Sequence, residues 1–440
     1  MKLGINEKVA FCTLGCKVNQ YDTQAMQEEF LLAGYEVAEF DDFADVYVIN
    51  TCTVTNMGDR KSRQMIHRAS KLNPEAVIAV VGCYAQRAPK EIIDIPGVDL
   101  VLGTRDRVKI VEYIRLVKES GKPVNKVQDI MDSKVFEEMP ITTYFDKTRV
   151  SLKIQEGCDR YCSYCIIPYT RGPIRSRKPR DVIEQVHSLV DSGLQEFVLT
   201  GIHLASYGKD LNGESLLSLI KELDAIEGLK RIRLGSLEPT FLDDNFVHAA
   251  RDIPKLCRHY HLSLQSGSDL TLRRMNRRYN TAQYRETVER LRKHIPLVAI
   301  TTDIMVGFPG ETQEEFEDTL KFTRDIGFSR IHVFKYSVRE GTAAARYRDQ
   351  VPGKIKENRS RQLISIGKDM EIAYMKSLTG RVESVLFEEE CKDKQGWYEG
   401  YTDHYVRVAV PGGSVLYGSI KPVLLEEINN GKILGSFLTP

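Results

Sequence analysis

Cys158, Cys162 and Cys165 share one short loop, Glu156-Gly157-Cys158-Asp159-Arg160-Tyr161-Cys162-Ser163-Tyr164-Cys165. The spacing is C-x3-C-x2-C, with no fourth cysteine or histidine close by. A structural zinc site closes with four ligands. An ordinary iron–sulfur cluster also takes four, usually all cysteine. The next cysteine along the chain is Cys257. Three thiolates hold three irons of a 4Fe-4S cluster and leave the fourth iron open to a substrate or cofactor. On ligand count the loop reads as reactive, and a zinc knuckle lacking one ligand is the weaker alternative.

A second set consists of Cys16, Cys52 and Cys83, and each ends a candidate strand: Thr13-Leu14-Gly15-Cys16, Ile49-Asn50-Thr51-Cys52 and Val81-Gly82-Cys83. In an open parallel sheet, ligands bind outside the carboxyl ends of the strands, so three cysteines about 30 residues apart can converge there. Gly15 and Gly82 let backbone approach a bulky group. The alternative is three buried free cysteines, a common fate of this residue. Cys12, Cys257 and Cys391 read as packing or exposed residues, and His67 as a structural helix residue.

The elements that must position these groups fall into three textures. Short apolar runs over 9–14, 46–50, 77–82 and 98–102 alternate with helical stretches over 21–33, 57–72, 87–93 and 107–118, which predicts a small parallel α/β sheet. Residues 119–146 are polar, lack periodicity and read as a linker. From residue 150 a longer alternation begins. Strands are expected over 150–154, 197–200, 232–234, 261–264, 299–305 and 331–336, with helices between them over 180–192, 213–225, 282–293 and 314–326. Six βα units make a partial (β/α)6 barrel. One long helix is expected over 356–378. Beyond residue 381 short strands over 382–388, 397–401, 405–410, 414–420 and 433–438 predict a small closed β-barrel.

A chain of 440 residues accommodates roughly three domains. Its 42% hydrophobic and 28% charged composition is that of a water-soluble globular protein. No apolar run approaches the ~18 residues of a membrane span, and no secretory leader pattern opens the chain. Nine cysteines, six of them in two metal-suited groups, point to a reducing cytoplasm rather than a disulfide framework. A net charge of +1 announces no nucleic-acid binder, so such a role must rest on local patches.

The C-x3-C-x2-C loop resembles that of the radical S-adenosylmethionine (SAM) enzymes. That resemblance implies that the open iron chelates the amino acid part of SAM. Electron transfer from the cluster then gives a 5′-deoxyadenosyl radical, with Tyr164 packed near the adenine. With both cysteine sets the resemblance sharpens to the methylthiotransferases, over nearly the whole chain. Matching strings are Thr13-Leu14-Gly15-Cys16-Lys17-Val18-Asn19-Gln20, Asn50-Thr51-Cys52-Thr53-Val54, Leu199-Thr200-Gly201-Ile202-His203, Leu234-Gly235-Ser236-Leu237-Glu238-Pro239, Leu264-Gln265-Ser266-Gly267-Ser268 and Asp303-Ile304-Met305-Val306-Gly307-Phe308-Pro309-Gly310-Glu311. The first string is similar to the branch acting on N6-threonylcarbamoyladenosine beside the tRNA anticodon. It differs from the strings of the branches acting on isopentenyladenosine or on a ribosomal protein, which stay as alternatives beside a non-catalytic iron–sulfur RNA-binding protein.

The resemblance implies an N-terminal methylthiotransferase domain over 1–120, a linker over 121–147, a radical SAM core over 148–378 and an RNA-binding TRAM domain over 379–440. It implies two 4Fe-4S clusters and SAM. The second cluster, on Cys16, Cys52 and Cys83, would carry sulfur that a second SAM methylates, for transfer to carbon 2 of the base. No catalytic side chain is expected beyond the clusters, because an aromatic C–H yields to a cofactor-derived radical rather than to acid or base. An external electron donor, a sulfur source and the anticodon stem-loop of tRNA are the implied partners, and the protein is expected to act as a monomer.

Strand-end positions Thr200, Gly201, Ser236, Glu238, Gln265 and Asp303 are candidates to bind SAM, following the C-terminal-face logic of barrels. Gly307 and Gly310 are expected to let backbone approach the adenine. Arg171, Arg175, Arg177, Lys178 and Arg180 form a basic run after the cysteine loop, and Arg273, Arg274, Arg277 and Arg278 form another beside Tyr279. Such runs predict an RNA track, because phosphate contacts dominate affinity. A solvated helix face is the plain alternative for each. Residues 381–440 hold six Lys/Arg against nine Asp/Glu, so the small barrel is net acidic and is expected to bind RNA by one face or weakly.

Overall fold

The computed structural model describes residues 7–142 and 148–438. Residues 1–6, 143–147 and 439–440, which belong to the expected first domain, linker and last domain, lie outside the described residues.

Six parallel strands form the first sheet: β1 (Lys8–Thr13), β2 (Glu36–Ala38), β3 (Val46–Thr51), β4 (Val77–Gly82), β5 (Leu100–Leu102) and β6 (Val124–Asn125), in the order β2-β1-β3-β4-β5-β6. Every residue of central β3 is buried, as helices on both faces of a parallel sheet require. These helices are α1 (Lys17–Leu32), α2 (Asn56–Leu72), α3 (Cys83–Arg87), α4 (Pro89–Ile93) and α5 (Ile110–Ser120). The sequence pattern had shown four of the six strands. The short β2 and β6 carry too little apolar alternation to stand out.

The polar stretch expected as a linker is a strap instead. It supplies β6, buries Phe136, Met139 and Ile141, and places Glu137 and Glu138 on Arg107 and Arg177.

The central barrel is partial, as expected. Strands β7 (Arg149–Glu156), β8 (Arg175–Ser176), β9 (Glu196–Gly201) and β10 (Arg231–Leu234) form one sheet, and β11 (His259–His261), β12 (Ala299–Val306) and β13 (Arg330–Lys335) another. Single bridges Ile232↔Leu256 and Leu237↔Leu262 join them. Only β8 runs antiparallel, as an edge hairpin on β7. The outer helices are α6 (Ile167–Arg171), α7 (Pro179–Asp191), α8 (Leu216–Asp224), α9 (Asp244–Arg251), α10 (Asp269–Arg274), α11 (Thr281–His294) and α12 (Gln313–Ile326), followed by the long α13 (Gly353–Leu378). Strand β11 sits earlier than the expected 261–264. His259 already pairs with Ala299, the continuous ladder ends at His261, and Gln265, whose φ is +68°, meets β12 again through a single bridge to Ile304.

The last five strands close a barrel, β14 (Val382–Glu390), β15 (Trp397–Thr402), β16 (Arg407–Pro411), β17 (Ile420–Asn429) and β18 (Lys432–Phe437), in the order β14-β15-β16-β18-β17. The fourth strand was expected over 414–420. That stretch is instead a single 3-10 turn, Ser414–Leu416, with Val415 89% exposed, and β17 follows it. Asn430 and Gly431, both at positive φ, make the two-residue hairpin turn into β18.

Candidate functional site

The ends of β1, β3 and β4 bring Cys16, Cys52 and Cys83 together. Cys16 is the N-cap of α1, and Cys83 is the first residue of α3. A β-carbon added at Gly15 would stand 3.0 Å from the Cys52 sulfur, so the two loops touch. Asn19 clamps them, its amide donating to Leu14 O (2.7 Å) and Thr51 O (3.0 Å). Asn50 answers by donating to Asn19 O (2.9 Å) and Thr23 Oγ1 (3.0 Å). Burial pushes the Cys52 thiol up to about 11, and the neighbouring Cys83 and Cys16 sulfurs add to the shift. Burial also raises Cys83, while Arg171 opposes it, donating Nε–H to its sulfur at 3.1 Å.

Cys158, Cys162 and Cys165 converge in the loop after β7. Burial lifts Cys158 to about 11 and Cys165 to about 12, with Cys162 raising both. The loop is braced from elsewhere in the barrel. Ser163 N and Oγ donate to Met275 O (3.0 Å) and Arg274 O (2.8 Å), and Asn276 donates to Tyr161 O (3.0 Å). Arg277 donates Nη1–H to the Cys162 sulfur at 3.2 Å. Each triad therefore carries one guanidinium on one of its sulfurs. Among the described residues, neither triad gathers its three sulfurs within 4.8 Å of one another as a single ion requires. A multi-iron cluster suits these donor sets better.

A cavity of about 890 Å³ runs between the first sheet, the partial barrel and the closed C-terminal barrel. Thr200, Gly201, Ser236 and Asp303 line it, and so does Cys16. The other expected cofactor positions lie apart from its lining. Glu238 stands by the cysteine loop, its Oε2 2.6 Å from Arg160 Nη2 and 3.5 Å from His203 Nε2. Neither contact is an aligned hydrogen bond, so Oε2 is a buried acceptor without a donor. Gln265 lies beside Asp303, donating its backbone N–H to Asp303 O at 2.8 Å. Tyr164 packs edge-on against Phe308, with ring centroids 6.4 Å apart. Gly307 departs from expectation. Its N–H donates to Glu311 Oε2 (2.6 Å), and the Lys356 stem fills the space a β-carbon would take, so its backbone is packed against protein.

The expected RNA track is corrected more sharply. Arg171, Arg175 and Arg177 are 0%, 3% and 2% exposed and cannot meet a phosphate. Arg171 Nη1 lies 2.5 Å from Glu156 Oε1 and 3.0 Å from Asp22 Oδ2. Arg175 donates to Arg171 O (3.0 Å), and Arg177 pairs with Glu138 (2.8 Å). The run is basic because the seam between two domains is buried and charged. Lys178 and Arg180 alone of the five are exposed. In the second run Arg273 and Arg278 are exposed, while Arg274 pairs with Glu315 and Arg277 serves Cys162.

Sequence reasoning missed Lys17, Arg233, His259, His404 and Tyr405, which line the cavity from the first sheet's side, the partial barrel and the closed barrel. Only Lys17 carried a signal, its place next to Cys16. The others meet through tertiary packing that no local pattern encodes.

Comparison with known proteins adds to this geometry. The family profile described as "Uncharacterized protein family UPF0004" matches residues 8–103, and that of the "Radical SAM superfamily" matches 152–323. The threonylcarbamoyladenosine tRNA methylthiotransferase MtaB of Bacillus subtilis (strain 168) is 46% identical over 418 residues, 94% of this chain and 93% of that protein. The protein of the same name from Aquifex aeolicus is 40% identical, covering 87% of this chain and 93% of its own. The tRNA-2-methylthio-N(6)-dimethylallyladenosine synthase of Clostridium tetani is 36% identical over 96% of this chain and 95% of its own. In fold, the chain is similar to the radical SAM methyltransferase TsrM from Kitasatospora setae (TM-score 0.55, 14% identity, 75% of this chain and 73% of that one). It is also similar to the cobalamin-dependent SAM radical enzyme OxsB (TM-score 0.51, 10% identity, 83% and 61%).

Proposed function

This chain belongs to the radical SAM tRNA methylthiotransferases, and from that membership we propose that it converts N6-threonylcarbamoyladenosine beside the anticodon to its 2-methylthio derivative, using two 4Fe-4S clusters. The observation that carries the reading is the shared cavity, which borders both Cys16 of the first triad and the barrel strand ends Thr200, Gly201, Ser236 and Asp303. Relatives named for the threonylcarbamoyl base, at 46% and 40% identity, support that substrate over the dimethylallyl base of the 36% relative.

Cys158, Cys162 and Cys165 would hold one cluster, and Cys16, Cys52 and Cys83 the other. When bound, the first supplies the electron that splits SAM and the second the sulfur that ends on the base. The chain's own residues bind and orient. Arg277 on Cys162 and Arg171 on Cys83 offset thiolate charge with N–H donors. Glu238 Oε2, which lies beside Arg160 but accepts no aligned hydrogen bond, fits an ammonium such as that of SAM. Lys178 and Arg180 remain open to RNA phosphates.

Nucleoside mass spectrometry of tRNA from a deletion strain tests the substrate. The 2-methylthio derivative of threonylcarbamoyladenosine disappears, and loss of the dimethylallyl derivative instead would refute the reading. Anaerobically reconstituted protein is expected to hold about eight irons per chain. The Cys16, Cys52 and Cys83 triple Ala variant keeps about half of them and still cleaves SAM, but makes no methylthio product. A wild type holding half that iron would overturn the two-cluster assignment.

A further inference from the structure

Among the described residues, charge along the central cavity is paired at Arg233, Arg330 and Arg407 but not at Lys17. Arg233 is held by Glu196 (2.8 Å) and by Asp403 O (2.9 Å). Arg407 lies 3.3 Å from Glu399, and Arg330 3.7 Å from Glu371. Lys17, half-buried, makes no hydrogen bond and no carboxylate pair among the described residues. Its ammonium stands 6.0 Å from the centroid of the Tyr405 ring. A half-buried ammonium that faces the cavity without an anionic partner is free to pair with an anion that arrives with the ligand.

Two buried imidazoles on the same wall also present ring nitrogens without a hydrogen bond, although His259 Nε2 contacts Thr301 Oγ1 at 3.0 Å. His259 is 5% exposed and its Nδ1 makes no hydrogen bond. His404 is 1% exposed and neither of its nitrogens makes one, although Nδ1 lies 3.0 Å from Asp403 Oδ1 in poor alignment. Buried polar atoms without partners are few in folded proteins, and each calls for an explanation. Tyr405 joins these groups. Its ring lies 5.1 Å from that of His259 and 5.0 Å from that of Tyr401. Its φ of +65° is one that a bulky residue adopts only where the surroundings enforce it.

We propose that Lys17, with His259 and His404 around Tyr405, forms an anion subsite that receives the carboxylate of the threonylcarbamoyl group on the substrate base. The proposal rests on the substrate reading above and adds what recognises that base. Lys17 directly follows Cys16, so an anion held there sets the base beside the sulfur-bearing triad. A dimethylallyl group would leave the ammonium and the free nitrogens of the two imidazoles unsatisfied, which is how a polar site rejects an analogue lacking the matching group. An RNA phosphate would satisfy the same ammonium. The position of Lys17 on a cavity wall beside Cys16, rather than on the outer surface, favours the base substituent.

The test uses cluster-loaded enzyme and anticodon stem-loop RNAs bearing N6-threonylcarbamoyladenosine, its uncharged carboxamide, or N6-dimethylallyladenosine. Binding is read by fluorescence anisotropy without reductant, and methylthiolation separately. Wild-type enzyme is expected to favour the carboxylate RNA over the carboxamide by roughly 10- to 100-fold. Lys17→Met closes that gap, Lys17→Arg restores most of it, and iron per chain stays at the wild-type value in both. His404→Gln narrows the gap independently. A wild type that modifies the carboxylate RNA with no preference over the carboxamide would overturn the subsite and leave the substrate reading intact. Equal weakening of both RNAs by Lys17→Met would assign the ammonium to a phosphate and also overturn it. Modification of the dimethylallyl RNA alone would overturn the substrate reading itself.

Discussion

Arg277 and Glu238 set the charge around the cysteine loop. Arg277 reaches the Cys162 sulfur at 3.2 Å and the Tyr279 hydroxyl at 3.0 Å. Hydrogen bonds to sulfur stabilise the reduced, more negative form of a cluster. Arg277→Met is therefore expected to lower the midpoint potential of the cluster on that loop while iron per chain is kept. Potentiometric titration followed by electron paramagnetic resonance measures it, and an unchanged potential would leave Arg277 a packing role only. Glu238 shows the converse balance. Burial favours its neutral form, but the His203 contact and the Arg277 and Arg160 guanidiniums outweigh burial and hold the carboxyl at about 2 instead of 4.5. A depressed carboxyl contributes stability above its unfolded value and loses it as pH falls through the folded one. The difference in melting temperature between wild type and Glu238→Gln should be constant above pH 4.5 and shrink as pH falls from 4.5 towards about 2. A difference that does not vary over that interval would mean the carboxylate is not held by these cations.

Strand ends do the positioning at the next scale. Cys83 follows Gly82, whose φ is +93° and whose β-carbon position lies 2.7 Å from Thr51 O. Gly82→Ala meets both the wrong backbone region and a carbonyl, and is expected to destabilise the protein by about 1–3 kcal/mol. Because Thr51 precedes Cys52, the same change shifts two cysteines of the triad, so, on the proposed two-cluster reading, iron on the first triad should fall before iron on the loop. Iron per chain and thermal unfolding on the same sample check both. The rhythm of β1, β3, β4 and β5 and the placing of cysteines at the ends of β1, β3 and β4 were legible in the sequence, because a buried parallel strand is a continuous apolar run. Asn19 and Asn50 stood in the recognisable strings, but their clamping of two loops shows only in three dimensions. Strand β17 was misplaced because 414–420 and 420–429 both carry strand-forming residues, and the barrel's pairing with β14 and β18 decides between them. The strap over 121–142 was read as a linker because its partners, Arg107 and Arg177, lie in other elements.

At the scale of the molecule, the basic run at Arg171 was misread because composition reports charge and not what faces it. Asp22 on α1, Arg107 beyond β5, Lys153 and Glu156 on β7, and Arg171 on α6 meet in one fully buried network. Burial favours the neutral form of Asp22, yet Arg107, Lys153 and Arg171 outweigh it and keep the acid ionised. The network docks the first sheet on the barrel and ends on Cys83 through Arg171. Breaking a buried set of this kind by removing one member costs about 3–5 kcal/mol, since the remaining charges stay buried and uncompensated. Arg171→Met is therefore expected to lower the denaturation midpoint and to loosen iron on the Cys16, Cys52 and Cys83 triad, with the loop triad less affected. Lys178→Ala, at an exposed position a few residues on, should leave stability within ±0.5 kcal/mol and weaken tRNA binding with a shallower salt dependence. Denaturant unfolding, iron content and a salt titration of tRNA affinity on the two variants separate the roles. An Arg171→Met protein with wild-type stability and iron, defective only in tRNA affinity, would return this residue to the RNA track and refute the buried seam.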